Sequence, residues 1–584
     1  MPVTYQREHH HYINVRFISG KPPGNSVVVP GFARRVRSTD SHSPHPRRRN
    51  IMATDDPAVN APDSASVPRQ PVPQDKDRAS GNRETNPLPR RIGLVLGPVL
   101  GLLVYFLLPD MPLPLPDGEG MGDLAVNGRA VAGITVFIAT WWATEAIPIP
   151  VTSLVPLVAF PILVDGVAVG DVAPSYGSPT IFLFMGGFML ALAMQRWNLH
   201  KRIALTIVSK VGSNTVGLIG GFMVATAFIS MWVSNTATTV MMLPVGLSVV
   251  ALITQFRGGR TDANFATALM LGIAYAASIG SVATLIGTPP NVLMVAYLSE
   301  FHDITIGFGQ WMMVGLPIAV AFLFLAWVVL ARLLFRPGVK RVEGAQELIR
   351  DELREMGPIS RPEKLVLAVF VTAALSWIFV PMRADSQTIG GALPWLGGIS
   401  DPVIAMAVAV ALFLIPAERG TGTRLLDWDT AVKLPWGILL LFGGGIAISG
   451  QFTASGLSVW IGGQVSVLGG VPIWVLVLCV TAVVLLLTEL TSNTATTSTF
   501  LPVLGGVAAG LDVDVLVLVV PAVLAASMAF MLPVATPPNA IVFGSGHITI
   551  NQMMRGGVLL NLAALFVVLL GMYALAGWAL GIPL

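Results

Sequence analysis

Long apolar runs separated by short polar or charged connections fill this 584-residue chain from about position 90 to its end. Apolarity sustained on all sides predicts membrane-spanning helices, because a bilayer core of about 30 Å takes roughly twenty apolar residues to cross. Spans are expected near 92–109, 129–147, 151–165, 179–196, 264–298, 308–335, 362–381, 401–416, 436–452, 514–543 and 555–580. Two more apolar stretches, about 214–252 and 470–510, are each interrupted near the middle by one polar hexamer, Ser-Asn-Thr-Ala-Thr-Thr, at Ser234–Thr239 and Ser492–Thr497. In such surroundings there is no water for hydroxyl, amide or backbone groups, so something else must satisfy them.

The duplication is wider than the hexamer. Phe184-Met185-Gly186-Gly187 recurs as Phe442-Gly443-Gly444-Gly445 and Leu243-Pro244 as Leu501-Pro502, all at the hexamer's own offset of 258 (442 − 184, 492 − 234). Gly287-Thr288-Pro289-Pro290-Asn291 is answered by Ala535-Thr536-Pro537-Pro538-Asn539 at 248, ten residues having been lost in between. The core is therefore two copies of one unit, each with a polar hexamer followed by a Thr-Pro-Pro-Asn break.

Positively charged residues favour the cytoplasmic side of a membrane. With Arg90-Arg91 inside, the same side holds Arg196, Lys201, Arg202 and Lys210, then Arg257 and Arg260, the 332–364 connection, Arg419, Arg424 and Lys433, and Arg555. The other side holds Asp117, Glu119, Asp123, Asp165, Asp171, Glu300, Asp303, Asp512 and Asp514, with Arg383 the exception. This sorting requires 214–252 and 470–510 each to enter and leave on one side, the first from the cytoplasm and the second from outside. Both are thus expected to be re-entrant hairpins, and the odd number of spans between equivalent elements inverts the second unit. The expected fold is an all-α, multi-pass protein of the plasma (inner) membrane. It has about eleven transmembrane helices and two hairpins in two inverted repeats, the N-terminus cytoplasmic and the C-terminus outside.

Composition narrows the chemistry. At 54% hydrophobic and 11% charged the chain is a membrane protein, and its one cysteine, Cys479, excludes an internal disulfide and a cysteine metal site. Residues 1–89 differ: rich in Pro, Ser and Arg and holding His9, His10, His11, His42 and His45, they are expected to be disordered. Arg47-Arg48-Arg49 could touch anionic lipid, and Met52 is an alternative start. The segment 341–356 reads as an amphipathic helix, either on the cytoplasmic surface or packed in a loop. His200, His302 and His547 fall in predicted connections as exposed histidines. No phosphate-binding loop and no catalytic triad stands out, so an enzyme is not expected.

A hairpin tip at mid-membrane needs non-helical backbone lining a polar cavity. Ser, Thr and Asn suit it, offering donors to an anion and oxygens to a bare monovalent cation. The two prolines of each break remove backbone donors and stop the helix. Ser230 and Thr488 lie four residues before Ser234 and Ser492, one turn below each tip. This groups Ser230, Ser234, Asn235 and Gly287 as one cation site and Thr488, Ser492, Asn493, Ala535 and Pro537 as its mate. An anion would lie between, met by Ser234, Asn235, Thr236, Ser492, Asn493, Thr494 and Pro537. Taken singly, either Ser-Asn-Thr would also serve as helix-packing glue. Glu145 and Glu489 read as intramembrane carboxylates, Glu489 being either a proton site or a structural acid.

The paired Ser-Asn-Thr motifs with their Gly-Thr-Pro-Pro-Asn and Ala-Thr-Pro-Pro-Asn partners, and Trp141-Trp142-Ala143-Thr144-Glu145-Ala146-Ile147-Pro148 ahead of them, resemble the divalent anion/sodium symporter family of dicarboxylate, citrate and sulfate carriers over about residues 90–584. The resemblance implies a homodimer, a scaffold domain, a transport domain that slides as an elevator, and two sodium sites at the residues grouped above. It divides the chain into a leader (1–89), scaffold helices (90–178), a first repeat (179–298), scaffold helices with the 341–356 surface helix (299–435), a second repeat (436–543) and a final helix (544–584). The expected function is sodium-coupled import of small divalent anions, C4-dicarboxylates such as succinate, malate or fumarate foremost. Sulfate or citrate symport, sodium-independent exchange and a channel are the alternatives.

Overall fold

The computed structural model describes residues 87–109, 124–342, 344–384, 398–465 and 470–581, which are helices and connections with only two isolated bridges. The leader up to residue 86 and Asp117, Glu119 and Asp123 lie outside the described residues. Each predicted span contains helix: Pro87–Leu107, Leu124–Thr144, Ile149–Thr152 with Pro156–Leu163, Pro179–Arg196, Ala263–Ser281 with Pro289–Phe301, Phe308–Leu334, Arg361–Ala384, Asp401–Leu414, Trp436–Ala454, Val515–Ala526 with Pro537–Phe543, and Ile550–Leu580.

Each hexamer sits at the bend between paired helices, with Ser234 or Ser492 capping and its other five residues opening the second helix. Hairpin 1 is Thr215–Ser230 followed by Asn235–Phe256, and hairpin 2 is Ile473–Thr488 followed by Asn493–Gly510. The first arm of each has 16 residues, about 24 Å at 1.5 Å per residue, too short to cross the hydrocarbon alone. Spans 264–298 and 514–543 are broken in two, at 282–288 and 527–536. In both, the prolines of the break occupy the first turn of the second half, where no donor is missed. We call them broken helices 1 and 2.

Packing interleaves the two units. The first half of each broken helix lies against its own hairpin, and the second half lies against the other unit's hairpin: Pro289–Phe301 on Asn493–Gly510, and Pro537–Phe543 on Asn235–Phe256. Phe184 and its duplicate Phe442 meet edge to face, ring centroids 5.1 Å apart. A residue that touches its own duplicate lies on the approximate two-fold axis relating the copies. Small residues let the backbones close up: a Cβ on Gly280 would stand 2.3 Å from the Ala227 carbonyl oxygen of hairpin 1.

The arginine-rich connections are laced together. The amphipathic segment is helical over Ala345–Glu355, shorter than 341–356, and packs on Leu199–Ser209. Lys201 pairs with Glu352 at 3.2 Å, and Arg202 pairs with the buried Glu363 at 2.6 Å while donating to the Gly357 and Met356 carbonyls. Buried Asp262 accepts from the Gly338 and Val339 N–H groups at 2.7 and 3.1 Å, and Thr215 donates to the Val339 carbonyl, so connection 338–342 is tied to the bases of broken helix 1 and hairpin 1. His200 departs from expectation: it is buried in Leu199–Ser209 with Nδ1 3.2 Å from the Met194 carbonyl. Burial lowers its pKa.

Gly280→Val should uncouple broken helix 1 from hairpin 1 and cost about 1–3 kcal/mol, the usual penalty of overpacking. Melting of the purified protein checks this against Gly170→Ala, whose added methyl meets nothing within 4 Å. Equal melting temperatures would refute the close packing.

Candidate functional site

Ser230 ends the first arm of hairpin 1. Its Oγ donates to Asn235 Oδ1 at 2.8 Å and to the Ala277 carbonyl at 2.7 Å, and Asn235 Nδ2 donates to Ser281 Oγ at 3.2 Å. In hairpin 2, Thr488 Oγ1 donates to Asn493 Oδ1 at 2.8 Å and to the Ala526 carbonyl at 2.7 Å. The contacts of the two hydroxyls agree atom for atom, and the Asn235–Ser281 bond is particular to the first. In each, one hydroxyl proton faces two acceptor oxygens, which leaves a nest with more lone pairs than protons. That is the donor set a desolvated monovalent cation prefers.

Asn235 and Asn493 each open the second arm of a hairpin, with Ser234 and Ser492 at the cap positions. The N–H groups of these first turns, with the positive end of the helix dipole, open at the tips. Ser234 uses its hydroxyl to cap Ala237 N at 3.4 Å, and Ser492 makes no such bond. Thr236 and Pro537 are exposed, whereas Thr494, Gly287 and Ala535 are buried. Of the residues grouped from the sequence, the structure joins Ser230 to Asn235 and Thr488 to Asn493 by direct bonds. It adds Ala277, Ser281 and Ala526, whose contributions are carbonyls or a serine with no duplicate, invisible to a motif search.

The Thr-Pro-Pro-Asn asparagines hold the breaks in shape. Asn291 Nδ2 donates to the Val282 and Thr284 carbonyls at 3.2 and 2.8 Å, and Asn539 Nδ2 to Ala529 and Leu532 at 3.2 and 3.1 Å. Both side chains are fully buried. These roles were legible in principle, since the asparagine is duplicated along with the prolines.

The two carboxylates separate. Glu489 is buried, and its oxygens accept from the N–H groups of Phe530 (2.7 Å), Met531 (2.9 and 3.1 Å) and Leu532 (3.2 Å) and from Asn561 Nδ2 (2.7 Å). Every one of these neighbours is a donor, so the side chain ties hairpin 2 to the break of broken helix 2. Glu145 is not an enclosed intramembrane acid: it ends a helix with φ 47°, is half exposed, and lies 3.6 Å from Arg90. His302 is half-buried with Nε2 2.9 Å from the Tyr297 hydroxyl, not a free surface histidine, and burial lowers its pKa.

Two interleaved repeats, each with a hairpin tip against an unwound helix, define the class of secondary transporters. Residues 99–581 match the family model described as sodium:sulfate symporter transmembrane region. The chain belongs to that family. Among its relatives, the sodium-dependent dicarboxylate transporter SdcS of Staphylococcus saprophyticus is 43% identical over 499 residues, 84% of this chain and 92% of that protein. SdcS of Staphylococcus aureus strain USA300 is 41% identical over 498 residues with the same coverage. The solved structure of MtrF from Neisseria gonorrhoeae, at 11% identity and TM-score 0.50 over 86% of this chain and 97% of that one, is similar in fold.

Glu489→Gln should destabilise the protein by about 1–3 kcal/mol, because the new amide NH₂ would face backbone donors that now have an acceptor. A fall in melting temperature larger than that of Glu145→Gln is expected. Equal effects would show that the bonds to Phe530–Leu532 carry little.

Proposed function

We propose that this protein is a sodium-coupled secondary importer of small divalent anions, C4-dicarboxylates such as succinate, malate and fumarate foremost. The observation that carries this reading is the matched pair of oxygen nests, Ser230–Asn235–Ala277 and Thr488–Asn493–Ala526, each directly behind a helix N-terminus. Sodium enters the nests, completed by Ser234 and Gly287 in the first and by Ser492, Ala535 and Pro537 in the second. The dianion lies between the tips, hydrogen-bonded by Ser234, Asn235, Thr236, Ser492, Asn493 and Thr494 and bordered by Pro537. Its specificity for a dicarboxylate is supported by the two staphylococcal relatives, which are sodium-dependent dicarboxylate transporters.

None of these positions carries a fixed positive charge, so cotransported sodium supplies it. A unit charge about 4 Å from a carboxylate is worth on the order of 4 kcal/mol at an effective dielectric of 20. Sodium therefore binds before or with the anion. The two hairpins and broken helices form a transport domain that slides against a scaffold of the remaining helices, in a homodimer embedded in lipid. The N-terminus is cytoplasmic and the C-terminus outside, with repeats over 179–298 and 436–543. Sodium drives the cycle, and Glu489 serves as an anchor.

Proteoliposomes test this with succinate, citrate and sulfate, each with and without an inward sodium gradient. Succinate should accumulate only with sodium; uptake that ignores sodium and follows a pH gradient would overturn the coupling. Asn235→Ala and Asn493→Ala should each lower uptake at least tenfold, the effect of ~1.4 kcal/mol. Ser230→Ala and Thr488→Val should raise the sodium concentration required for half-maximal uptake with less effect at saturating sodium. Normal sodium dependence in both would remove the nests from the mechanism.

A further inference from the structure

We infer that a cleft beside the Ala345–Glu355 helix, remote in sequence from both hairpin tips, binds a phosphate-type oxyanion. The cleft is an open surface depression of about 480 Å³, lined by Arg202, Arg350, Leu353, Arg354, Gly357 and Pro358. Three of its six lining residues carry a guanidinium group, the side chain best matched to a tetrahedral oxyanion. They are not equally engaged. Arg202 is held by Glu363 and by the Gly357 and Met356 carbonyls, which makes it a fixed wall. Arg354 donates to Asp351 at 2.8 Å, but with side chains 78% and 60% exposed that pair is screened and easily exchanged for a better anion. Arg350 is exposed and has no hydrogen bond or ion pair among the described residues.

Arg350 and Arg354 are four apart on one helix, a spacing at which like charges repel. Among the nearby acids only Asp351, in its exposed pair with Arg354, offsets them: Glu352 is turned to Lys201 and Glu363 to Arg202. An anion in the cleft would relieve that repulsion and give Arg350 a partner. The helix lies between two apolar spans, Phe308–Leu334 and Arg361–Pro381, which places the cleft at the level of lipid headgroups on the arginine-rich side. Leu353 and Pro358 add an apolar wall suited to the glycerol end of a phospholipid. The same guanidinium groups would also accept soluble phosphate, and the experiment separates the two sources.

The full-length protein in a neutral detergent is melted with short-chain phosphatidylglycerol, with short-chain phosphatidylcholine, or with inorganic phosphate at matched sodium and ionic strength. The same series is run on Arg350→Gln/Arg354→Gln. Binding to the native state should raise the wild-type melting temperature by about 3 °C near saturation, and the double variant should lose most of that shift. A shift with phosphatidylglycerol alone supports a lipid headgroup as the source. One with phosphate, with or without phosphatidylglycerol, supports a soluble ligand. No shift with either probe, or equal shifts in wild type and variant, overturns the site. Should the double variant melt early without ligand, Arg350→Gln alone gives the same reading, because that side chain bonds to nothing it would release. Succinate uptake by the variants separates failure of this site from failure of the transport reading, since neither arginine belongs to the hairpins.

Discussion

In an interior without water, each backbone N–H or carbonyl left unpaired costs several kcal/mol. This protein interrupts four helical elements in such an interior, two at hairpin tips and two at Thr-Pro-Pro-Asn breaks. The interruptions are stable because nearby side chains take up what the helix gave away. Asn291 and Asn539 each bridge two carbonyls of a break, and Ser230 and Thr488 each join a tip to a carbonyl of the neighbouring broken helix. What remains unspent at each tip is oxygen lone pairs and a helix N-terminus. Satisfying the backbone and building a binding site are here one arrangement.

The two copies reach it differently at one position. Met231 and Glu489 are duplicates at the 258 offset (489 − 231), directly after the nest residues Ser230 and Thr488. In the first copy the Met231 carbonyl receives the hydroxyl of Thr284 from the break. In the second, the Glu489 carboxylate reaches the break itself and collects three N–H groups. Either way the residue at the hairpin bend fixes the break opposite. The second solution also buries a carboxylate that forms no ion pair with Lys, Arg or His among the described residues.

Much of this was legible in the sequence because it was written twice. The offset of 258 located both hairpins and that of 248 both breaks, and apolar length placed the spans around them. Helix limits at the bends were less legible: the hexamer was expected as a non-helical tip, whereas Asn235–Thr239 and Asn493–Thr497 open the second arms as helix. The carbonyls of Ala277 and Ala526 were not legible, since a backbone oxygen leaves no trace in residue type. Asn561 was missed because it lies in the final helix, outside the repeat, and joins the site only through the tertiary fold. Glu145 misled for a related reason: hydropathy counts it among apolar neighbours, whereas its left-handed backbone turns it outward to Arg90. His200 misled in the opposite sense, a polar-looking connection proving to be a packed helix.

The interleaving of the copies bears on how the chain is made. The second arm of hairpin 1 ends at Phe256, and the helix that covers it begins at Pro537, 281 residues later (537 − 256). At a synthesis rate of about 5–20 residues per second that is a wait of roughly 15–60 s. Through that interval the face of Asn235–Phe256 that Pro537–Phe543 will pack against is open, although the tip's own bonds to Ala277 and Ser281 can already form. A nascent first half must therefore be sheltered by the insertion machinery or kept wet, and biogenesis rather than final stability is the step most exposed to error.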